Sequence, residues 1–297
     1  MKILITGAMG YIGTELLYRL SSQTHTQIFA VDNDIAALRD RSGFFSRSPN
    51  IRVINADITN AAQVMALPKV DLIVHLAAVV GYIQCGQTPE LAMKTNVDGT
   101  ALLTQLGTPM IFLSTGSVYG EIGDVCKEDV DLNPQTLYAE TKVMGETLVK
   151  QIPNVILRPA TAFGMSFKVR HDLLVHNLTI DAIKNKRIRL YQPDAMRSFY
   201  SVQKIAELLE YIAFNFSKFD GKTMNVGCRA GNVKKKTIAE ILLTYCDFDL
   251  EIIDGKDLDT RDYHVNYDLL ESHWNQLDEN FDLQVEKIVR YYKTWNK

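Results

Sequence analysis

Tyr138 and Lys142 have the residue types and the spacing that proton transfer requires. They stand four residues apart in the sequence, so on a helix their side chains share one face, about 5–6 Å apart at Cβ. A lysine cation at that distance favours the phenolate and lowers the pKa of the tyrosine from its ordinary value of about 10. Tyr138 is therefore a candidate general acid and base near neutral pH. The spacing also arises by chance, as at Tyr200 and Lys204, so a purely structural pair is the alternative.

Hydroxyl side chains follow an apolar segment that is typical of a buried strand. Residues 109–113 run directly into Ser114 and Thr115. In parallel sheets, ligands bind beyond the carboxyl ends of the strands. The sequence therefore places a hydroxyl group where it can bridge Tyr138 and a substrate oxygen.

A glycine-rich turn near the start of the chain has the features of a dinucleotide site. Gly7, Gly10 and Gly13 follow a β-rich run directly and open a helical pattern. The first glycine permits a tight turn, the second lets backbone approach a pyrophosphate, and the third lets the helix pack on the strand. The pyrophosphate would lie at the N-terminus of the helix, where free N–H groups and the helix dipole favour an anion.

Acidic residues after the next two strands indicate which dinucleotide is bound. Asp32 ends the second predicted strand, where a carboxylate accepts hydrogen bonds from the adenosine ribose. A 2′-phosphate would be repelled there, because no arginine follows Asp32 before Arg39. This pattern favours NAD over NADP. Asp57 follows the third strand and is a candidate for holding the adenine, with a structural turn as the alternative.

Short apolar runs alternate with helical patterns through the first two-thirds of the chain. Runs rich in Val, Ile and Leu, bounded by Gly, Pro, Asn or Asp, suit a parallel sheet covered on both faces. Strand–helix–strand repetition implies right-handed crossovers, so the sequence predicts an α/β fold with a doubly wound parallel sheet of the Rossmann type. The predicted strands are 2–6, 27–31, 51–56, 71–76, 109–113 and 154–157, and the predicted helices are 11–20, 89–106 and 138–151.

The pattern loosens after about residue 164, where helical stretches are separated by polar loops. We expect a dinucleotide-binding domain over residues 1–165 and a smaller C-terminal α/β lobe over 166–297 that binds substrate, with some segments returning to the first domain. The predicted helices of this part are 173–185, 202–216, 237–246 and 283–295, and the predicted strands are 224–226 and 250–253.

Composition excludes several classes of protein. The chain has 297 residues, of which 46% are hydrophobic and 23% charged, which is ordinary for a globular protein with a sizeable core. The net charge of −3 argues against a nucleic-acid partner, and no apolar run approaches the ~20 residues of a membrane span. None of the four cysteines forms a Cys-x-x-Cys pair, so we expect reduced thiols, a cytoplasmic location and no metal site. The basic run 234–236 is expected to be a solvated surface.

Short motifs occur in one order along residues 1–165. They are Thr6-Gly7-x-x-Gly10-Tyr11-Ile12-Gly13, Asp57-Ile58, His75-Leu76-Ala77-Ala78, Asn96-Val97-x-Gly99-Thr100, the segment 114–120, Tyr138-x-x-x-Lys142 and Leu157-Arg158-Pro159-Ala160. Together they make the chain resemble the extended short-chain dehydrogenase/reductase family, in particular its NAD-dependent nucleotide-sugar epimerases and dehydratases. The resemblance is looser in the C-terminal part, at 197–202, 225–227 and 259–265.

The resemblance implies roles for individual residues. Tyr138 would transfer the proton, Lys142 would hold the nicotinamide ribose and tune the tyrosine, and Thr115 matches the family's catalytic Ser or Thr. Arg197 and Arg261 match positions that grip the diphosphate of the sugar nucleotide, as suits the bidentate donors of arginine. The implied substrate-binding residues are Thr115, Tyr138, Asn177, Arg197 and Arg261. The implied cofactor-binding residues are Gly7, Gly10, Tyr11, Ile12, Gly13, Asp32, Asn33, Asp57, Ile58, Leu76, Ala77, Ala78, Asn96, Ser114, Tyr138, Lys142 and Pro159.

Departures from the family pattern narrow the activity. Dehydratases of the family carry two carboxylates directly after the catalytic Thr, whereas this chain has Gly116 and Ser117, which disfavours dehydration. His176 stands where relatives usually have Asn, which leaves the substrate contacts of that segment open.

These observations favour an NAD-dependent nucleotide-sugar epimerase, most simply at C4 through a transient 4-keto sugar. A nucleotide-sugar 4-dehydrogenase or 4-ketoreductase is the first alternative, and a non-catalytic dinucleotide sensor is a remote one. The resemblance also implies a homodimer through helices 89–106 and 138–151. The nucleotide and the sugar stay open.

Overall fold

A seven-stranded parallel sheet forms the centre of the molecule. A computed structural model describes residues 1–34, 43, 45, 47–121, 125–255 and 264–295. The strand order of the sheet is β11-β7-β5-β4-β1-β2-β3, and every neighbouring pair is parallel. Its strands are β1 (Lys2–Thr6), β2 (Gln27–Asp32), β3 (Ile51–Asn55), β4 (Leu72–His75), β5 (Met110–Leu113), β7 (Asn154–Pro159) and β11 (Thr223–Val226).

The sheet forms because its strands are apolar on both faces. Ile3, Leu4 and Ile5 are fully buried although they point alternately to opposite sides. The predicted α/β class, the doubly wound parallel sheet and its first six strands are confirmed, with bounds that differ by two residues at most. Strand β11 shows that residues beyond 166 return to this sheet; the division of the chain into two domains stays a prediction.

Helices cover both faces of the sheet, and side-chain caps set where several of them begin. Thr136 precedes α6, and its Oγ1 accepts a hydrogen bond from Ala139 N at 3.2 Å. This cap fixes the first helical turn, which carries Tyr138. The helices are α1 (Tyr11–Leu20), α2 (Ala61–Met65), α3 (Tyr82–Gln87), α4 (Pro89–Met93), α5 (Gly99–Thr104), α6 (Leu137–Val149), α7 (Leu174–Ile180), α8 (Val202–Phe214), α9 (Phe216–Phe219), α10 (Lys235–Tyr245), α11 (Asp268–Glu271) and α12 (Phe281–Thr294).

Two predicted helices are interrupted. The predicted helix 89–106 consists of α4, a π-helical turn over Lys94–Asp98, and α5. The predicted helix 173–185 consists of α7 followed by a π-helical turn over Asp181–Asn185. Such wider turns are common at functional sites, and periodicity alone does not reveal them.

Strands of the C-terminal part form small sheets, two of them with earlier strands, that the sequence largely did not predict. β13 (Asp249–Ile253) pairs with β9 (Arg187–Tyr191), and β10 (Met196–Ser201) lies between β12 (Asn232–Lys234) and β8 (Thr161–Phe163). β14 (His264–Val265) pairs with β6 (Val125–Cys126). A second apolar core lies here, around Phe163, Phe199 and Phe281.

Two further expectations concern burial. The four cysteines, expected to be reduced, are free, and all four are buried. The basic run behaves differently from the prediction: Lys234 and Lys236 pair with Asp194 at the surface, but Lys235 is only 1% exposed, because it begins α10 and packs inward. Within the described ranges, no helix is long and apolar enough to cross a membrane.

Candidate active site

The carboxyl ends of the parallel strands gather the predicted cofactor residues along one edge of the sheet. Thr6 is in register with both Val31 and His75, so the segments that follow β1, β2 and β4 leave the sheet side by side. Leu113 is likewise in register with Leu157. The turn at Gly7, the carboxylate of Asp32, residues 76–78, Ser114, Thr115 and Pro159 therefore share this edge, where doubly wound sheets bind ligands.

The glycine-rich turn is shaped so that side chains cannot enter it. Gly7 has a φ of +67°, and a Cβ there would lie 2.7 Å from Ala77 N. A Cβ on Gly13 would collide with the carbonyl oxygens of Gly7 and Ala8. Gly10 precedes helix α1 as its N-cap residue and offers no side-chain cap, so the first-turn N–H groups, including those of Tyr11 and Ile12, face the turn. This cradle fits the pyrophosphate of NAD.

Asp32 and Asp57, which are predicted to hold the adenosine, are both fixed by hydrogen bonds from backbone N–H groups. The carboxylate of Asp32 accepts hydrogen bonds from Met9 N at 2.9 Å and from Asp34 N at 3.0 Å, so it is fixed beside the glycine-rich turn. Burial raises the pKa of Asp57, but hydrogen bonds from Thr59 and from the side chain of Asn33 outweigh it and hold that pKa below its ordinary value. Asp57 thus stays an acceptor. Ile58 is buried and faces Gly99.

The end of β4 is held by a neutral histidine. His75 is bonded on Nδ1 by Thr6 Oγ1 at 2.7 Å and on Nε2 by Thr100 Oγ1 at 2.9 Å. Burial, followed by the charge of Lys142, lowers the pKa of His75 to about 3. Thr100 donates its proton to Asn96 O, so His75 donates through Nε2 and accepts through Nδ1. His75 therefore fixes the segment that leads to Leu76, Ala77 and Ala78, which are partly exposed.

Asn96 has a different arrangement from the predicted cofactor contact. Its Oδ1 accepts a hydrogen bond from Val79 N at 2.8 Å, and its Nδ2 donates to Val79 O at 2.9 Å and to Thr141 Oγ1 at 3.0 Å. The residue is 1% exposed. The side chain therefore clamps the loop after β4 onto helix α6, and its polar atoms are directed at protein groups.

Tyr138 and Lys142 lie on α6 as the spacing predicts. Lys142 is buried, and its Nζ lies 4.0 Å from the centroid of the Phe112 ring on β5. Burial lowers the pKa of Lys142 to about 7, opposed by the charges of Glu146 and Cys85. Tyr138 is partly exposed one turn before it. The pair can hold a phenolate beside an ammonium group at the edge where the cofactor residues meet.

Ser114 and Thr115 have separate partners. Thr115 Oγ1 caps the short helical turn Gly116–Tyr119 by accepting from Ser117 N at 3.2 Å, which leaves its proton to be donated. Ser114 Oγ donates to Glu146 Oε1 at 2.5 Å and is 2% exposed. The side chain of Ser114 is therefore a buried brace, unlike the predicted cofactor contact, whereas the substrate contact of Thr115 stays a prediction.

The side-chain hydroxyl of Tyr11 is also bonded to a protein group. Its hydroxyl donates to Gly164 O at 2.6 Å, and burial raises its pKa. His176 Nε2 bonds the same carbonyl at 3.0 Å, and its Nδ1 lies 3.1 Å from Tyr292 Oη. Burial lowers the pKa of His176 to about 4. His176 is thus a neutral, inward-facing residue.

The predicted substrate residues are only partly brought together. Asn177 is exposed on α7 beside His176. Arg197 is 3% exposed on β10 and donates to Met196 O at 2.9 Å. Arg261 lies outside the described residues, as does Arg39.

Arg170 is a residue that the sequence did not single out for the site. Its guanidinium is bonded to Asp172, and the charges of Asp172, Tyr138 and Tyr11 all raise its pKa. A cation therefore faces Tyr138 from the loop before α7. A basic residue in this loop was visible in the sequence, but its position next to Tyr138 depends on a fold that brings distant segments together.

The fold and the site define a dinucleotide-binding protein of the doubly wound α/β class, and the comparison with known proteins states the family. Residues 3–227 match the NAD dependent epimerase/dehydratase family, and the chain belongs to it. This confirms the resemblance and NAD as the cofactor.

Curated relatives carry several activities. A UDP-glucuronic acid decarboxylase from Arabidopsis thaliana is 27% identical over 224 residues, which are 70% of this chain and 64% of the relative. The UDP-glucose epimerase YtcB of Bacillus subtilis, described as uncharacterized, is 28% identical over 250 residues, which are 76% of this chain and 77% of the relative. The matches to the decarboxylases thus span two-thirds or less of their length.

Solved structures have the same fold. A UDP-glucuronic acid 4-epimerase from Bacillus cereus, in complex with UDP-glucuronic acid and NAD, aligns with a TM-score of 0.88 at 22% identity over 99% of this chain and 100% of the other. A UDP-N-acetylglucosamine 4-epimerase from Methanobrevibacter ruminantium aligns with a TM-score of 0.83 at 22% identity over 99% and 98%. At these identities the likeness shows the fold, and the activity has to be argued from the residues.

Proposed function

We propose that the chain is an NAD-dependent nucleotide-sugar epimerase that inverts the C4 carbon of the sugar through a transient 4-keto intermediate. The observation that carries the proposal is that Tyr138 and Lys142 lie one turn apart on α6, with the Lys142 ammonium group over Phe112 of β5, the strand that runs into Thr115. A protein that only senses a dinucleotide has no need of a tyrosine, a buried lysine and a free hydroxyl donor at that place.

Tyr138 performs the proton transfer in this proposal. As a phenolate it takes the proton of the sugar hydroxyl, and Lys142 stabilises that phenolate by its charge. Thr115 donates a hydrogen bond to the same oxygen. NAD, when bound, supplies the reversible oxidation of the sugar carbon, and Tyr138 returns its proton when the inverted sugar is restored. The diphosphate, gripped remotely by Arg197 and Arg261, positions the reacting carbon.

Epimerisation is favoured over dehydration because the positions after Thr115 offer no acid. Gly116 and Ser117 begin a short helical turn, and neither carries a carboxylate that could remove water. A C4 inversion needs only the groups present and leaves NAD unchanged at the end of each turnover.

The test is proton NMR of a panel of nucleotide sugars incubated with the protein and NAD. We expect the proton signals at C4 of at least one sugar to change to those of its C4 epimer, without accumulation of NADH. Tyr138→Phe should lower turnover by at least ~10²-fold, because proton transfer is lost. Tyr191→Phe, at an exposed position on β9, is the matched control and should turn over normally. Equal turnover in the two variants would refute the assignment of Tyr138.

Net oxidation or reduction at C4 is the second candidate, supported by the same residues. A keto sugar formed in step with NADH would establish a 4-dehydrogenase or 4-ketoreductase. The relationship to UDP-glucuronic acid decarboxylases adds one outcome to the same assay: release of carbon dioxide from a nucleotide-linked uronic acid. NAD binding with no change in any sugar would favour a dinucleotide sensor.

We also propose a homodimer formed by α3, α4 and α6. These helices pack together and expose Ile83 at 55%, Leu91 at 50% and Met144 at 44%, and a partner copy would cover this apolar surface. Light scattering should give the mass of a dimer, and Leu91→Glu with Met144→Glu should give a monomer. A wild-type monomer would refute the proposal. The four free thiols suit a reducing compartment, for which we propose the cytoplasm.

A further inference from the structure

Glu146 is a buried carboxylate that the proposed reaction does not use. It is 2% exposed and lies on α6, four residues after Lys142. Tyr138, Lys142 and Glu146 thus follow one face of the helix at successive turns. A buried carboxylate costs free energy unless it is paired and fully hydrogen-bonded. The partners of Glu146 therefore indicate which segments it holds together.

The partners of Glu146 come from the two strands next to the site. Arg158, at the end of β7, donates from Nε to Oε1 at 3.0 Å and from Nη2 to Oε2 at 2.7 Å. Ser114, after β5, donates to Oε1 at 2.5 Å. Both partners are less than 5% exposed. Ser114 immediately precedes Thr115, and Arg158 immediately precedes Pro159, so one carboxylate ties the helix of Tyr138 and Lys142 to the segments that carry Thr115 and Pro159.

We propose that Glu146 is a positioning residue for the Tyr138–Lys142 pair: it keeps Lys142 cationic and fixes Ser114, the residue before Thr115, against helix α6. This inference rests on the proposed catalytic role of Tyr138. Two effects of Glu146 are involved. The hydrogen bond to Ser114 fixes the end of β5, and the negative charge one turn after Lys142 opposes the loss of the lysine proton.

The negative charge of Glu146 matters because the pKa of Lys142, about 7, is close to neutral pH. Titratable groups act on Lys142 from three elements, namely Glu146 on α6, Cys85 on α3 and His75 at the end of β4. Tyr138 lies one turn before Lys142 on α6, and the cation of Arg170 acts on Tyr138 from the loop before α7. His75 is neutral because its pKa is lowered to about 3, and burial raises the pKa of Cys85, so that thiol stays protonated near neutral pH. Glu146, bonded by Arg158, therefore supplies the negative charge. Without it the pKa of Lys142 falls further below about 7, and a neutral lysine does not stabilise a phenolate.

The experiment follows the phenolate of Tyr138 directly and uses no sugar. Ultraviolet difference titration of the NAD-bound protein, with the Tyr138→Phe form of each variant as its reference, reports the pH at which Tyr138 ionises. Glu146→Gln should raise that pH by about 1 unit or more, because Lys142 then loses its proton more readily and a phenolate without a cation within about 4–6 Å has a pKa higher by about that amount. Arg170 is unchanged in every variant, so its effect on Tyr138 cancels in the comparison. Glu140→Gln, which removes the same charge from an exposed position of the same helix, should leave the titration unchanged.

A second variant separates this role from a structural one, since Glu146→Gln leaves Arg158 buried without its ion pair. Glu146→Met combined with Arg158→Met replaces the pair by apolar side chains of similar size, an exchange that proteins often tolerate with little loss of stability. We expect its denaturation midpoint to approach that of the wild type while Tyr138 still ionises at the higher pH. Recovery of both the midpoint and the wild-type titration would overturn the proposal.

The outcome is independent of the proposed epimerase activity. If no nucleotide sugar is converted but the titration shifts as expected, the role of Glu146 stands and the substrate assignment fails. If a sugar is epimerised and Glu146→Gln titrates like Glu140→Gln, the epimerase stands and Glu146 only stabilises the fold. In an active enzyme, Glu146→Gln should lower kcat with little change in KM, because Glu146 acts on the reacting pair and not on substrate binding.

Discussion

At the scale of single residues, close backbone approach dictates the glycines of the cofactor turn. Gly13 lies under the carbonyl groups of Gly7 and Ala8, so any side chain would push α1 away from β1. Gly86 has the opposite environment: it lies on α3, and a Cβ there would have no neighbour within 4 Å. Alanine at Gly13 therefore places a methyl group in the cofactor cradle, whereas alanine at Gly86 only replaces a helical glycine.

Gly13→Ala should weaken NAD binding by at least ~10-fold, equivalent to about 1.4 kcal/mol, because the N–H groups of the first turn are displaced from the pyrophosphate. Isothermal titration calorimetry measures the affinity. Gly86→Ala should leave the affinity unchanged and raise the stability of the protein by roughly 0.5–1 kcal/mol, as for a helix-interior glycine. Equal NAD affinities in the two variants would contradict a cofactor cradle at Gly13.

At the scale of elements, the interruption between α4 and α5 has a clear physical cause. Asn96 lies in the π-helical turn and points inward, where its amide bonds both backbone groups of Val79 and Thr141 on α6. The wider turn lets the helix continue while this side chain reaches its partners. The turn thus locks the loop that carries Ala77 and Ala78 onto the helix of Tyr138.

Asn96→Asp should destabilise the protein by about 1–3 kcal/mol, because a carboxylate cannot donate to Thr141 Oγ1 or to Val79 O, which keeps only the weak thiol donor of Cys85 at 3.3 Å. Chemical denaturation measures the loss. Asp98→Asn is the control: it replaces a carboxylate by an amide at an exposed position of the same turn. It should change the free energy of unfolding by less than ~0.5 kcal/mol. A similar loss in both variants would show that Asn96 is not a clamp.

Local patterns in the sequence were sufficient to predict elements, but not the contacts between distant ones. The apolar runs of β1 and β4 identify strands because both faces of the central sheet are buried. β11 and β10 have four and six residues. Their places depend on partners more than 60 residues away in β7 and 30 or more in β8 and β12. The same reason explains the site: motif spacing predicted Tyr138 and Lys142, whereas Arg170 comes near Tyr138 only in the folded chain.

At the scale of the whole molecule, a hydrogen-bonded chain joins the C-terminal helix to the cofactor turn. Gly164 O can only accept, so His176 donates through Nε2 and accepts through Nδ1 from Tyr292. The oxygen of Tyr292 then accepts from His171 Nδ1 at 2.7 Å. Gly164 O accepts a second hydrogen bond from the hydroxyl of Tyr11, in the first turn of α1. Helix α12 is therefore linked to the glycine-rich turn through a single carbonyl group.

Tyr292→Phe removes the central hydroxyl of this chain. It should destabilise the protein by about 1–3 kcal/mol, since the buried Nδ1 of His176 loses its donor, and it should weaken NAD binding several-fold, because the anchor of Tyr11 loosens. Denaturation and calorimetry measure the two effects. Tyr291→Phe, at the adjacent and partly exposed position of the same helix, should change neither by a comparable amount. Lower stability with unchanged NAD affinity would mean that α12 only packs against the fold; lower values of both would mean that the C-terminal helix helps to hold the cofactor.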